Sequence, residues 1–223
     1  MTDAPTAPAE TVLLMAGGGA LSAATVARLG AFGSRWVAAD GGADRLAALG
    51  VVPERIIGDL DSLADVEAWR DRGIAVEHVS EQDSTDFEKC LARVEAPLIL
   101  AAGFLGARLD HSLAALSALV QQPPGAVVLV GEEDLALHCP PRLALDLEAG
   151  MRVSLYPLAR VGGHASSGLR WPIAGLEFAP EGRIGTSNAA TGAVEIGLDG
   201  PGMVLILPLE ALAAVVAALR EVA

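Results

Sequence analysis

RWVAADGGADRLAALGVVPERIIGDLDSLADVEAWRDRG, residues 35–73, holds successive strand–helix units. Arg35–Ala39 and Arg55–Ile57 are short runs rich in apolar residues and read as strands. Ala43–Leu49 and Ala64–Arg72 carry helical patterns, and each is closed by a glycine, Gly50 and Gly73. Glycine just past a helix stops it because it enters the left-handed conformation without a Cβ clash. Alternation of this kind predicts a mostly parallel sheet covered on both faces.

The same alternation extends outward through the apolar runs Thr11–Met15, Ile74–Val79, Pro97–Ala102 and Ala126–Val130. After about residue 134 the pattern changes. Leu143–Leu147, Met151–Leu155, Ala193–Leu198 and Met203–Leu207 read as strands separated by Gly- and Pro-containing turns, which predicts a small antiparallel sheet or sandwich. Leu209–Val222 reads as one amphipathic helix. The expected class is α/β: an N-terminal parallel-sheet lobe over residues 1–133, then a small all-β sandwich lobe over 134–223, the two in close contact.

A chain of 223 residues hides roughly 70% of its unfolded surface, enough for a real core. Apolar residues make up 52% and aromatics 4%, so there are few platforms on which bases could stack. The formal net charge of −13 repels polyanions, which argues against nucleic acid and against an acidic membrane surface. A small anion such as ATP would need local cations or a metal. Cys90 and Cys139 show neither a CxxC spacing nor a nearby His cluster, so a reducing cytoplasm is the expected setting. Met1–Glu10 has no basic start and no export-length apolar run, and no stretch reads as a membrane span.

Polar clusters interrupt the apolar N-terminal half at Ala39–Ala43, Gly58–Ser62, Gln82–Lys89 and Gly106–His111, each after a predicted strand. The C-terminal ends of parallel strands are where ligands bind in open α/β sheets, so Asp40, Asp59, Asp61, Asp83, Asp86 and Asp110 are expected at one rim. Carboxylates a few ångströms apart repel by about 4 kcal/mol per pair at an effective dielectric near 20. A hard divalent cation relieves this, and Mg²⁺ takes carboxylate, phosphate and water oxygens. Asp59 and Asp61, two apart in an extended segment, would point to the same side. Lys89, Arg108 and His111 would complement phosphate oxygens.

Structural readings stand beside these. Thr85 and Glu88 form a capping box that starts a helix with a buried stripe of Phe87, Cys90, Leu91 and Val94. On that reading Asp86 favours the positive helix end and Lys89 is its surface partner. Asp40 before Gly41 and Gly42 is a turn. Gly17–Gly19 lacks the trailing residues of a P-loop and reads as a tight turn. Trp171 before Pro172 reads as packing, and Ser187–Asn188 as a turn.

Taken in order, Ala-Asp-Gly-Gly-Ala at 39–43, Gly-Asp-Leu-Asp-Ser at 58–62, Gln-Asp-Ser-Thr-Asp-Phe-Glu-Lys at 82–89, Arg-Leu-Asp-His at 108–111, Gly-Leu-Arg-Trp-Pro at 168–172 and Ser-Asn at 187–188 resemble the thiamine pyrophosphokinase family. The resemblance implies a homodimeric enzyme that converts thiamine and ATP to thiamine diphosphate and AMP. It implies Mg²⁺ on Asp59, Asp61 and Asp86, with Lys89 and Arg108 assisting and Asp83 or Asp110 accepting the hydroxyl proton. ATP would lie by Asp40, Gly41, Thr85 and His111, and thiamine by Trp171, Ser187 and Asn188 at the dimer interface. Two departures stand out: Ala107 where the family often has Gly, and Ala189 where a Glu is common. The rival readings are a non-catalytic thiamine or nucleotide sensor and another Mg²⁺-dependent phosphoryl transferase.

Overall fold

The computed structural model describes residues 12–106, 108–121 and 126–222. Thr11, Ala107 and the Met1–Glu10 segment invoked above lie outside them. The parallel half comprises β1 (Val12–Ala16), α1 (Ala23–Gly30), β2 (Trp36–Ala39), α2 (Gly42–Ala48), β3 (Arg55–Gly58), α3 (Val66–Asp71), β4 (Ala75–His78), α4 (Asp86–Leu91), β5 (Leu98–Ala102), α5 (Leu109–Gln121) and β6 (Ala126–Val130). Its strands lie in the order β4-β3-β2-β1-β5-β6, all parallel. Successive residues of β1 fall into different core clusters: Leu14 and Ala16 face the side that holds Leu46 and Trp69, while Leu13 and Met15 face Phe87 and Leu119. A strand buried on both faces reads as an unbroken apolar run, and VLLMA is one. Gly50 and Gly73 close α2 and α3 with φ of 77° and 78°, as expected from the sequence.

The remaining elements are β7 (Asp134–His138), β8 (Arg142–Leu145), β9 (Arg152–Pro157), β10 (Val161–Leu169), β11 (Leu176–Phe178), β12 (Thr186–Leu198), β13 (Met203–Pro208), a 3-10 turn at Leu209–Ala211 and α6 (Leu212–Val222). β7 pairs antiparallel with β6 and extends the sheet through β13, β9 and β12. β12 serves two sheets. Thr186–Ala189 pair with β9 in the large sheet, and Val194–Gly197 pair with β8 in a second one that includes β10 and β11. The inward side chains of both sheets share one cluster with α6 and with the first face of the parallel half. The expected lobes are therefore recognisable as architecture, with strand pairing and core running on across residues 133 and 134.

Several structural readings change. Ser187 and Asn188 sit in β12 opposite Ser154 and Val153, not in a turn. Strands β7, β10 and β11 were not anticipated, and the C-terminal helix begins with a 3-10 turn.

β1 and β5 flank the topological switch, where the strand order reverses. There the backbones meet directly: the Gly17 N–H donates to the Ala102 carbonyl and the Gly19 N–H to the Gly103 carbonyl, at 2.8 and 2.9 Å. A Cβ at Gly17 would stand 2.6 Å from the Gly103 oxygen, so close approach explains the glycine run. At Gly42 a Cβ would meet the Ala16 oxygen at 2.2 Å, whereas at Gly50 it would meet nothing within 4 Å. Gly42→Ala is therefore expected to cost about 3 kcal/mol through backbone displacement, and Gly50→Ala only about 1 kcal/mol through its positive φ. Chemical denaturation of both variants measures the difference.

Candidate active site

The loops after β2, β3 and β4 build one acidic cluster. Asp40 follows β2, Asp59 and Asp61 follow β3, and Asp86 opens α4 after β4. One carboxylate oxygen from each of Asp40, Asp59 and Asp61 lies within 4.8 Å of the others. The Asp59–Asp61 convergence does not come from an extended segment: Leu60 between them is left-handed, with φ of 67°. Asp40 is left-handed too, at φ 43°, and only 2% exposed. Its Oδ2 accepts from the Ser62 N–H at 3.1 Å, while Oδ1 is buried without a hydrogen-bond partner. The Ser62 hydroxyl donates to Asp61 at 2.9 Å.

Lys89 closes the cluster from beneath. Its Nζ donates to Asp59 at 3.1 Å and to Asp86 at 3.2 Å, and the residue is 2% exposed. It is thus a buried bridge between α4 and the β3 loop, not the surface partner of Asp86 alone. Burial works against its charge, but the hydrogen bonds to Asp59 and Asp86 prevail and raise its pKa. Asp59 is lowered: burial is outweighed by Lys89 and by the Gln82 amide, which donates to it at 3.1 Å. Asp86 stays raised by burial despite Lys89, with repulsion from Asp59 and Asp61 adding to the shift. Ser62 and Gln82 are contributors that the sequence reading quoted in its motifs without giving them a role.

The other candidates fall around this centre. Thr85 spends its polar groups on the capping box with Glu88, as the sequence suggested. Gly41 packs against Ser62, where a Cβ would come within 3.2 Å. Asp83 lies on the exposed loop before α4, its N–H bonded to Glu81. Arg108 and Asp110 pair with each other at the start of α5, and His111 beside them is exposed.

On the β side, Ser187 borders an open groove of about 290 Å³ with Ser154, Tyr156, Ile184, Thr186 and Ile206. Trp171 is 53% exposed, so the packing reading fails. Asn188 points the opposite way from Ser187, is 3% exposed, and bonds the Trp171 backbone through both ends of its amide.

The carboxylate set fits a hard cation: oxygen donors converge, and the buried Asp40 oxygen lacks any other partner. Asp40 forms the closest trio with Asp59 and Asp61, and Asp86 joins them through Lys89. Burial chiefly pushes the Asp40 carboxyl up to about 6, opposed by the Ser62 hydrogen bond. An acid whose folded pKa is raised weakens the fold as pH climbs from its unfolded value through its folded one. In EDTA, Asp40→Asn is expected to stabilise the protein by about 2–3 kcal/mol at pH 7.5, and the gain should vanish near pH 4. Asparagine also tolerates the left-handed backbone. Thermal melts across that range check the sign.

Comparisons with known proteins bear on this geometry. The family model described as thiamin pyrophosphokinase, catalytic domain, matches residues 28–129, which include the whole acidic cluster. Thiamine pyrophosphokinase 2 of Arabidopsis thaliana is 30% identical over 156 residues, covering 61% of this chain and 58% of that protein. The match therefore spans little more than half the length of that relative. Among solved structures, thiamin pyrophosphokinase from Candida albicans superimposes with a TM-score of 0.77 at 15% identity, covering 88% of each chain. That from Geobacillus thermodenitrificans gives 0.73 at 22% identity, covering 88% of this chain and 96% of that one. At such identities the structural likeness is one of fold. The resemblance read from the ordered motifs is borne out: by sequence over residues 28–129, and by fold over most of its length, the chain is similar to the thiamine pyrophosphokinases.

Proposed function

We propose that the protein is a thiamine pyrophosphokinase, transferring the diphosphoryl group of ATP to the hydroxyl of thiamine and releasing AMP. The observation that carries this reading is the convergence of Asp40, Asp59, Asp61 and Asp86 on Lys89, within residues that match the family's catalytic domain. Mg²⁺, held by Asp59 and Asp61 with Asp40 or Asp86, would offset charge on the transferring group.

In this reaction the thiamine oxygen forms a bond to the β-phosphorus, and the bond from that phosphorus to the oxygen bridging it to AMP breaks. Lys89 holds Asp59 and Asp86 in place, and Arg108 on its exposed loop would meet phosphate oxygens. The hydroxyl proton passes to a carboxylate. The candidates are Asp83 and Asp110, the latter held below the usual carboxylate range by its hydrogen bond from Arg108. ATP would lie along Asp40, Gly41, Thr85 and His111.

An exposed indole at Trp171 suits a cationic thiazolium ring, worth about 1–2 kcal/mol when desolvated. In a homodimer, Trp171 and Ser187 of one protomer would face the acidic loops of its partner. Cytoplasmic residence fits two separate buried thiols, Cys90 and Cys139. No helix among the described residues is long and apolar enough to cross a membrane.

The test is an assay with ATP, Mg²⁺ and thiamine, following AMP and thiamine diphosphate by chromatography. Equal amounts of both are expected, abolished by EDTA, with Asp61→Ala lowering the rate roughly 100-fold or more. ADP in place of AMP would assign a different phosphoryl transfer. Thiamine binding without turnover, retained in Asp59→Asn, would make the protein a sensor.

A further inference from the structure

β10 and β12 run antiparallel as far as Leu169 opposite Ala190, and the Arg170 N–H still donates to the Ala189 carbonyl at 2.9 Å. The next residues cannot extend the ladder normally, because Pro172 has no N–H to give. At Trp171 a side chain takes over. Asn188 Oδ1 accepts from the Trp171 N–H at 3.1 Å, and Asn188 Nδ2 donates to the Trp171 carbonyl at 2.6 Å. The same Oδ1 accepts from the Ala189 N–H at 3.0 Å. A primary amide offers the donor and acceptor of a peptide group, so Asn188 pairs with Trp171 as a strand backbone would.

The pairing is made to the main chain of Trp171, whose large side chain stands out in solvent. Asn188 is 3% exposed with both ends of its amide engaged, whereas Trp171 is 53% exposed, with the Arg170 guanidinium 4.8 Å from its ring centre. We propose that Asn188 is a positioning residue: its amide fixes Trp171 in a ligand-ready orientation and does not itself touch the ligand. The ligand's identity as thiamine rests on the function proposed above; the latch does not. Fixing Trp171 before binding removes an ordering cost that the ligand would otherwise meet.

Trp36 and Trp69 are buried, so emission open to iodide reports Trp171, with Trp171→Phe as the check. Asn188→Ala removes the amide, and Asn188→Leu removes it while nearly keeping its shape. Both variants are expected to retain the native circular dichroism. In ligand-free protein, Trp171 anisotropy should fall and iodide quenching should rise. The KM for thiamine should increase roughly ten-fold, with kcat and the KM for ATP within about two-fold of the parent.

A raised thiamine KM with unchanged ligand-free emission would mean that Asn188 contacts substrate, and would overturn the proposal. No change in either readout would reduce the amide to strand packing. Loss of native circular dichroism in both variants would make Asn188 a folding residue and equally sink the idea. If the parent protein does not turn over thiamine, the functional reading fails, while the ligand-free emission still decides the latch.

Discussion

Lys89 Nζ lies 3.1 Å from Asp59 and 3.2 Å from Asp86 at a position almost closed to water, and the geometry of the acidic site follows from that contact. Taking an ammonium and carboxylates out of water is costly unless their geometry is good and the remaining valences are met. Here α4 supplies both Asp86 and Lys89 one turn apart, and the capping box at Thr85 and Glu88 fixes where that helix begins. The β3 loop supplies Asp59. One cation therefore sets the spacing between two chain segments that carry like charges. Without it, the loops after β3 and β4 would repel at the distance where the site needs them.

The position of Lys89 depends in turn on what holds α4 against the sheet. Phe87, Cys90 and Leu91 bury one side of it beneath β2 and β3. Its end is tied by side chains: Arg93 donates to the Lys89 carbonyl at 3.1 Å, and Arg55 of β3 donates to the Arg93 carbonyl at 2.9 Å. Glu77 of β4 joins both guanidinium groups. Carbonyls at a helix C-terminus have no partner within the helix, and these arginines supply one. The groups are about one-third exposed, so their contribution to stability is small. Their effect is on orientation, since a rotation of α4 would carry Asp86 and Lys89 away from Asp59.

Much of this was legible in the sequence, for reasons that differ by element. β6 was bounded correctly and β5 nearly so, because strands buried on both faces are unbroken apolar runs. Gly50 and Gly73 marked helix ends through a backbone requirement that is local. β10 was missed because VGGHASSGL has few apolar residues and owes its strand to partners distant in sequence. The contacts of Lys89 and Asn188 were also hidden. Spacing put Lys89 beside Asp86, but only the fold brings Asp59 to its other side. Ser187–Asn188 looked like a turn dipeptide, and its strand state comes from pairing with β9. The convergence of Asp59 and Asp61 was anticipated for the wrong reason, since Leu60 turns left-handed between them.

The left-handed residues show where the fold yields stability. Asp40 combines a positive φ, a buried carboxylate oxygen without a partner and a pKa pushed up to about 6. Gly58 beneath it has no side chain, and a Cβ there would sit 2.8 Å from that of Asp40. Strained backbone and unsatisfied charge persist only when the surroundings over-determine them, and here the flanking strands β2 and β3 are buried and paired on both edges. Asp40 therefore carries two local costs, a left-handed backbone and an unpaired buried carboxylate oxygen, and the glycine at position 58 leaves its Cβ the room it needs.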